Sequence, residues 1–128
     1  MSPRTTTDVI DRFNLAFVRH DPDLLDDLVA EDCVMESVRP APDGTRVTGR
    51  ADCLDFWRTL AADRTTRFEP GEVVVAGERA TIRWRYHFGT GPHGHVSGVN
   101  LMRIADGRIV EALGFTKTGE LPLATDAA

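Results

Sequence analysis

Residues 79–88 constrain this chain more than any other stretch. Ala80, Ile82, Trp84, Tyr86 and Phe88 alternate with Arg79, Thr81, Arg83, Arg85 and His87. A period of two puts the two sets on opposite faces of an extended strand, which a helix cannot do. Such a strand needs a sheet around it, with one face covered. The neighbouring sequence supplies that sheet. Residues 66–76 read as a strand broken near Pro70-Gly71, and residues 95–105 and 108–116 read as two more. Ala76-Gly77-Glu78, the glycine-rich stretch 89–94 and Ala105-Asp106-Gly107 are hairpin connections. The second half is therefore expected to be a four-stranded antiparallel meander.

The first half has helical spacing. Thr7 or Asp8 caps a helix whose apolar residues are Val9, Ile10, Phe13, Ala16 and Phe17. Asp21-Pro22 restarts the chain as a second, short helix, with Leu24, Leu25, Leu28 and Val29 facing inward. Residues 32–38 read as a strand, and Pro40, Pro42, Asp43 and Gly44 as a turn. After Gly49 a third helix runs to about Ala62, with Ala51, Leu54, Trp57, Leu60 and Ala61 on one side. Helices segregated from an antiparallel sheet make the expected class α+β.

Composition narrows the functional classes. The 128 residues fit one domain, 1–128, with a core over about 8–116 and a frayed tail from about 120. Apolar residues make up 41% and charged residues 27%, which excludes a disordered chain. No apolar run reaches the ~20 residues of a membrane-spanning helix, and the first residues lack a signal-type apolar stretch. Cys33 and Cys53 form no CxxC pair, so free thiols in a cytoplasmic protein are expected. A net charge of −5 argues against nucleic acid as a partner. That charge is uneven: residues 1–36 hold nine Asp/Glu and three Arg, whereas residues 79–108 hold five Arg and one Asp.

The segments 10–17, His20-Asp21-Pro22-Asp23-Leu24-Leu25-Asp26-Asp27-Leu28, Ala30-Glu31-Asp32-Cys33-Val34-Met35-Glu36, 49–57 and Asp106-Gly107-Arg108-Ile109-Val110-Glu111 carry a resemblance. Together they resemble the nuclear-transport-factor-2-like superfamily, in particular its SnoaL-like polyketide cyclase and ketosteroid isomerase-like branch. The resemblance covers about residues 8–116. It implies a cone-shaped curved antiparallel sheet wrapped round three N-terminal helices, a largely apolar small-molecule pocket, and a homodimer through the outer sheet face. It does not carry over the acid–base residues of those enzymes. The isomerase tyrosine falls on Phe13, its base on Ser37 and its protonated aspartate on Asn100. A supporting tyrosine falls on Trp57, and the last-strand aspartate of the cyclase and epoxide-hydrolase branches falls on Gly114.

Two arrangements of the 79–88 strand are open. In one, Arg83, Arg85 and His87 line the interior beside Asn100, where they would orient an oxyanion and move a proton. In the other, Ile82, Trp84, Tyr86 and Phe88 are buried and the cationic face meets solvent or a partner. A one-residue slip in register exchanges the two. Asn100, His87, Arg85 and Arg83 are the candidate catalytic residues. Phe13, Phe17, Met35, Ser37, Phe56, Trp57, Met102 and Gly114 are the candidate substrate-binding residues. His87, His93 and His95 have no recognised metal spacing, and neither metal nor cofactor is expected. The expected function is a cofactor-free isomerase, cyclase or dehydratase acting on an oxygenated, mostly apolar metabolite. The alternative is a ligand-binding or dimerisation module without catalysis.

Overall fold

The computed structural model describes residues 4–40, 42–89 and 94–117. Helix α1 (Thr6–Val18) starts at a closed capping box. The Asp8 N–H donates to Thr5 Oγ1 and the Thr5 N–H donates to Asp8 Oδ2, each at 3.0 Å. Val9, Ile10, Phe13, Ala16 and Phe17 are its buried face, as their spacing predicts. The Asp21-Pro22 restart forms a single 3₁₀ turn, Pro22–Leu25, in place of a second α-helix. Asp21 makes no side-chain cap there, and a segment this short gains little from helical cooperativity. Val29, expected on that helix, instead pairs with Ile109 as the first residue of strand β1 (Val29–Glu36).

The remaining elements are β2 (Arg46–Thr48), α2 (Arg50–Ala62), β3 (Arg67–Ala76), β4 (Arg79–His87), β5 (His95–Ala105) and β6 (Arg108–Thr116). They build one six-stranded sheet in the order β2-β1-β6-β5-β4-β3. The β3–β6 meander is antiparallel as expected, and β3 carries its irregularity between Pro70 and Val73. Proline lacks the ladder N–H, which accounts for that break. Two features correct the expected architecture. There are two α-helices among the described residues, and β1 joins β6 in parallel, which makes the sheet mixed. The parallel pairing brings together residues some eighty positions apart, so no local pattern announces it. Strand β2, at three residues, is too short to show a period.

Both helices pack on one face of the sheet. Ala80, Ile82, Met102, Ile104, Ile109 and Ala112 rise from the sheet to meet Val9, Ile10, Phe13, Phe17, Cys53, Trp57 and Ala61. That packing decides the question left open by the alternation in β4. Ile82 is fully buried, whereas Arg79, Arg83 and Arg85 are exposed. The other face of the sheet carries Val99 opposite Phe115 and Leu101 opposite Leu113. Leu101 and Phe115 are exposed there.

Candidate functional site

The site is built around Asn100. In the β4–β5–β6 ladder Asn100 lies between Ile82 and Gly114, so the three share the inner, helix-covered face. Two residues earlier on the same face, Gly98 lies opposite Trp84. The Trp84 indole covers Gly98: a Cβ there would stand 2.5 Å from the ring atom Cζ2 and 2.5 Å from the Phe115 carbonyl oxygen. From that position Trp84 Nε1 donates to Asn100 Oδ1 at 3.1 Å. On the other side of Asn100, a Cβ at Gly114 would be 3.2 Å from Val38 Cγ1 and 3.3 Å from Asn100 Oδ1. Asn100 is thus a half-buried amide between two glycines, with an indole on one side.

The interior beneath it is packed with rings. Trp57 meets Phe13 edge-on at 5.2 Å, Phe13 meets Phe17 at 4.9 Å, and Phe17 meets Phe68 at 5.6 Å. Phe68 lies 6.3 Å from Trp84, which closes the series at Asn100. Phe13, Phe17, Met35, Trp57 and Met102 are all core residues. Phe13 and Trp57 serve as ring partners, and Gly114 flanks Asn100.

Other expected site residues lie elsewhere. Arg83, Arg85 and His87 are on the outer face, opposite Val99, Ser97 and His95, and the structure does not bring them to Asn100. The physical reason is that Ile82 and Trp84 pack against the helices, and the pleat then turns every second side chain away. His87 Nε2 instead pairs with Glu69 Oε1 at 2.8 Å, with the His95 ring 5.6 Å away. That hydrogen bond, against a smaller opposing effect of burial, holds the Glu69 carboxyl below its usual range. Phe56 is 38% exposed, on the side of α2 that bounds an open groove with Val47 and Leu60. Trp57 takes the inward position, and one residue is about 100° of helix. The Ser37 hydroxyl is occupied by its own turn, donating to the Arg39 carbonyl at 2.7 Å and accepting from the Thr45 N–H at 3.2 Å. His93 lies outside the described residues, among which no group of three or more His, Cys, Asp or Glu is placed to hold a metal.

Three polar features were not legible as site residues. Trp84 was identifiable as a site residue only through the β4–β5 register: with His87 paired to His95, Trp84 faces Gly98. Tyr86 donates its hydroxyl to Thr66 Oγ1 at 2.8 Å, and burial pushes its phenol above the ordinary value. Asn14 is buried on α1, and its Oδ1 has no hydrogen-bond partner among the described residues. Cys33 and Cys53 are free and buried, with Cys53 Sγ donating to the Cys33 carbonyl at 3.6 Å. Burial raises both thiols above the ordinary value, most strongly Cys33.

A family model described as a SnoaL-like domain matches residues 10–112. No curated protein matches the sequence. A protein of unknown function from Mesorhizobium loti, described as like nuclear transport factor 2, is 50% identical. It superposes with a TM-score of 0.82, covering 88% of this chain and 91% of that one. A candidate polyketide cyclase from Sinorhizobium meliloti is 27% identical, with a TM-score of 0.68 over 84% of this chain and 93% of that one. A candidate ketosteroid isomerase from Kribbella flavida, 19% identical, shares the fold with a TM-score of 0.74, covering 94% of this chain and 85% of that one.

Proposed function

The chain belongs to the SnoaL-like domain family, and from that premise we propose that it binds an oxygenated, mostly apolar small molecule beside Asn100. The amide nitrogen of Asn100 donates to the carbonyl or enolate oxygen of that molecule. One observation carries the reading. Asn100 is a half-buried amide on an apolar face, and its nitrogen has no hydrogen-bond partner among the described residues. Donors of that kind, set in apolar surroundings, fix the orientation of a small ligand. Binding is favoured over proton transfer because Arg83, Arg85 and His87 stand on the other face of the sheet.

A hydrogen bond of this kind contributes about 0.5–1.5 kcal/mol. Asn100→Leu keeps the branched outline of the side chain without its donor and should weaken 9-fluorenone roughly three- to tenfold in equilibrium dialysis. Unchanged affinity would overturn the reading.

A second reading is supported by the candidate cyclase from Sinorhizobium meliloti. On it, the same amide holds the enolate oxygen while solvent water takes the α-proton and returns it, in an isomerase-, cyclase- or dehydratase-type reaction without a cofactor. It predicts enzyme-dependent deuterium uptake from D₂O at the α-carbon of a bound enolisable ketone, lost in Asn100→Leu. Binding with no exchange leaves the first reading alone. We further propose a cytoplasmic homodimer joined through the apolar centre of the outer face, Val99, Leu101, Leu113 and Phe115. Phe115→Glu should then halve the mass seen in sedimentation equilibrium; a wild-type monomer would refute the dimer.

A further inference from the structure

The reading above rests on which end of the Asn100 amide faces the ligand, and the structure contains the group that decides it. An asparagine amide has an accepting end and a donating end of nearly equal size, and it can turn over unless a neighbour distinguishes them. An indole Nε1 has a hydrogen to give and no lone pair to offer. The atom of Asn100 that lies 3.1 Å from Trp84 Nε1 must therefore be the oxygen, and the two amide hydrogens point the other way. A serine or water in the place of Trp84 would accept or donate with equal ease and would leave the amide free to turn.

Trp84 is itself held in position. It lies directly across from Gly98, and its ring fills the space that any side chain at 98 would take. Phe68 packs beside it at 6.3 Å, and Trp84 lies against the main core. The indole has little freedom to swing away and release the amide.

We propose that Trp84 is a positioning residue that makes this site selective for ligands presenting a hydrogen-bond acceptor, and selective against ligands presenting only a donor. The ligand class is then a ketone, quinone, lactone or similar carbonyl compound with a planar apolar body. This proposal depends on Asn100 being the ligand-binding amide, and it adds the reason that amide discriminates.

Three probes of one shape separate the possibilities. 9-Fluorenone offers an acceptor, carbazole offers a donor, and fluorene offers neither, all at the same ring position. Dissociation constants are measured for the wild type, Trp84→Phe and Asn100→Leu. The wild type should bind fluorenone at least tenfold more tightly than carbazole. Trp84→Phe keeps an aromatic side chain opposite Gly98 and removes the N–H donor together with part of the ring area. In that variant the amide turns to suit either probe, and the ratio should fall to about twofold.

A role for Trp84 in packing alone would weaken all three probes together and leave the ratio standing, which would overturn the proposal. Failure of the wild type to prefer fluorenone over fluorene would overturn the Asn100 reading and this proposal with it. Preference in the wild type that survives Trp84→Phe and disappears in Asn100→Leu would keep the first and remove the second. A measurement on the wild type alone guards against a misfolded variant. Fluorenone should shift the Asn100 side-chain amide resonances, while the Trp84 indole N–H stays protected from exchange. Loss of that protection on binding would show that the indole bond is given up, and would refute the positioning role.

Discussion

Gly98→Ala tests the arrangement at the site most directly. The added Cβ would lie 2.5 Å from Trp84 Cζ2 and 2.5 Å from the Phe115 carbonyl oxygen, distances that real Cβ atoms do not adopt. The indole must tilt away, and β6 must move at Phe115. Overpacking of this kind costs about 1–3 kcal/mol. A tilt that breaks the bond from Trp84 Nε1 to Asn100 adds about 0.5–1.5 kcal/mol. The expected loss is about 2–4 kcal/mol, a fall in Tm on the order of 10 °C for a chain this size. Urea unfolding followed by tryptophan fluorescence and by circular dichroism gives the number, and coincidence of the two curves checks two-state behaviour. The same substitution in a Trp84→Ala background separates the two clashes. With the ring gone, only the Phe115 carbonyl opposes the new methyl group, and the cost should fall by about 1 kcal/mol or more. A single-variant cost under about 0.5 kcal/mol, or equal costs in the two backgrounds, would show that the indole does not occupy the space above Gly98.

Other outcomes follow from the same structure. Asn14→Leu removes a buried oxygen with no partner among the described residues and improves helix propensity, so stability should rise by about 1–2 kcal/mol in thermal or urea unfolding; a loss would mean that Asn14 has a partner in solution. Cys33 and Cys53 are buried, with raised thiol pKa values, and should resist a disulfide reagent at pH 8 until urea unfolds the chain. Reaction of either thiol in the folded protein, at the rate of a free cysteine, would contradict that burial. Glu69 has a depressed folded-state pKa, so its contribution is present above the unfolded carboxylate range near pH 4.3 and is lost as pH falls through the folded value. His87→Ala should lower stability slightly at pH 6 and leave it unchanged at pH 2, flattening the acid limb; a parallel shift at both pH values would refute the pairing.

Much of this fold is written in local pattern. The alternation in β4, the turn residues at Gly77 and Gly107, and the apolar stripe of α1 each identify their element without reference to the rest of the chain. Period-two and period-3.6 patterns survive in a single sequence because each depends only on near neighbours. The same locality explains what was misread. The helix expected after Pro22 shortened to one turn because Val29 is held by Ile109, eighty residues away. Phe56 was expected in the pocket that the resemblance implies, but it stands about 100° round α2 from the inward-facing Trp57 and is exposed.

Asn100 stood out in the sequence as a polar residue on an otherwise apolar or small strand, whereas the space at Gly98 is filled by the Trp84 indole and Gly114 is packed against Glu36 and Val38. What the sequence by itself determined was the α+β class, the meander, the buried face of α1 and the identity of that single amide. Tertiary structure alone decided which face of β4 meets the helices, and with it whether Asn100 shares its surroundings with two arginines and a histidine or with Trp84. The reason is physical. Both faces of an alternating strand satisfy the same local geometry, and only the burial of Ile82 in the core beneath the helices makes one of them lower in free energy.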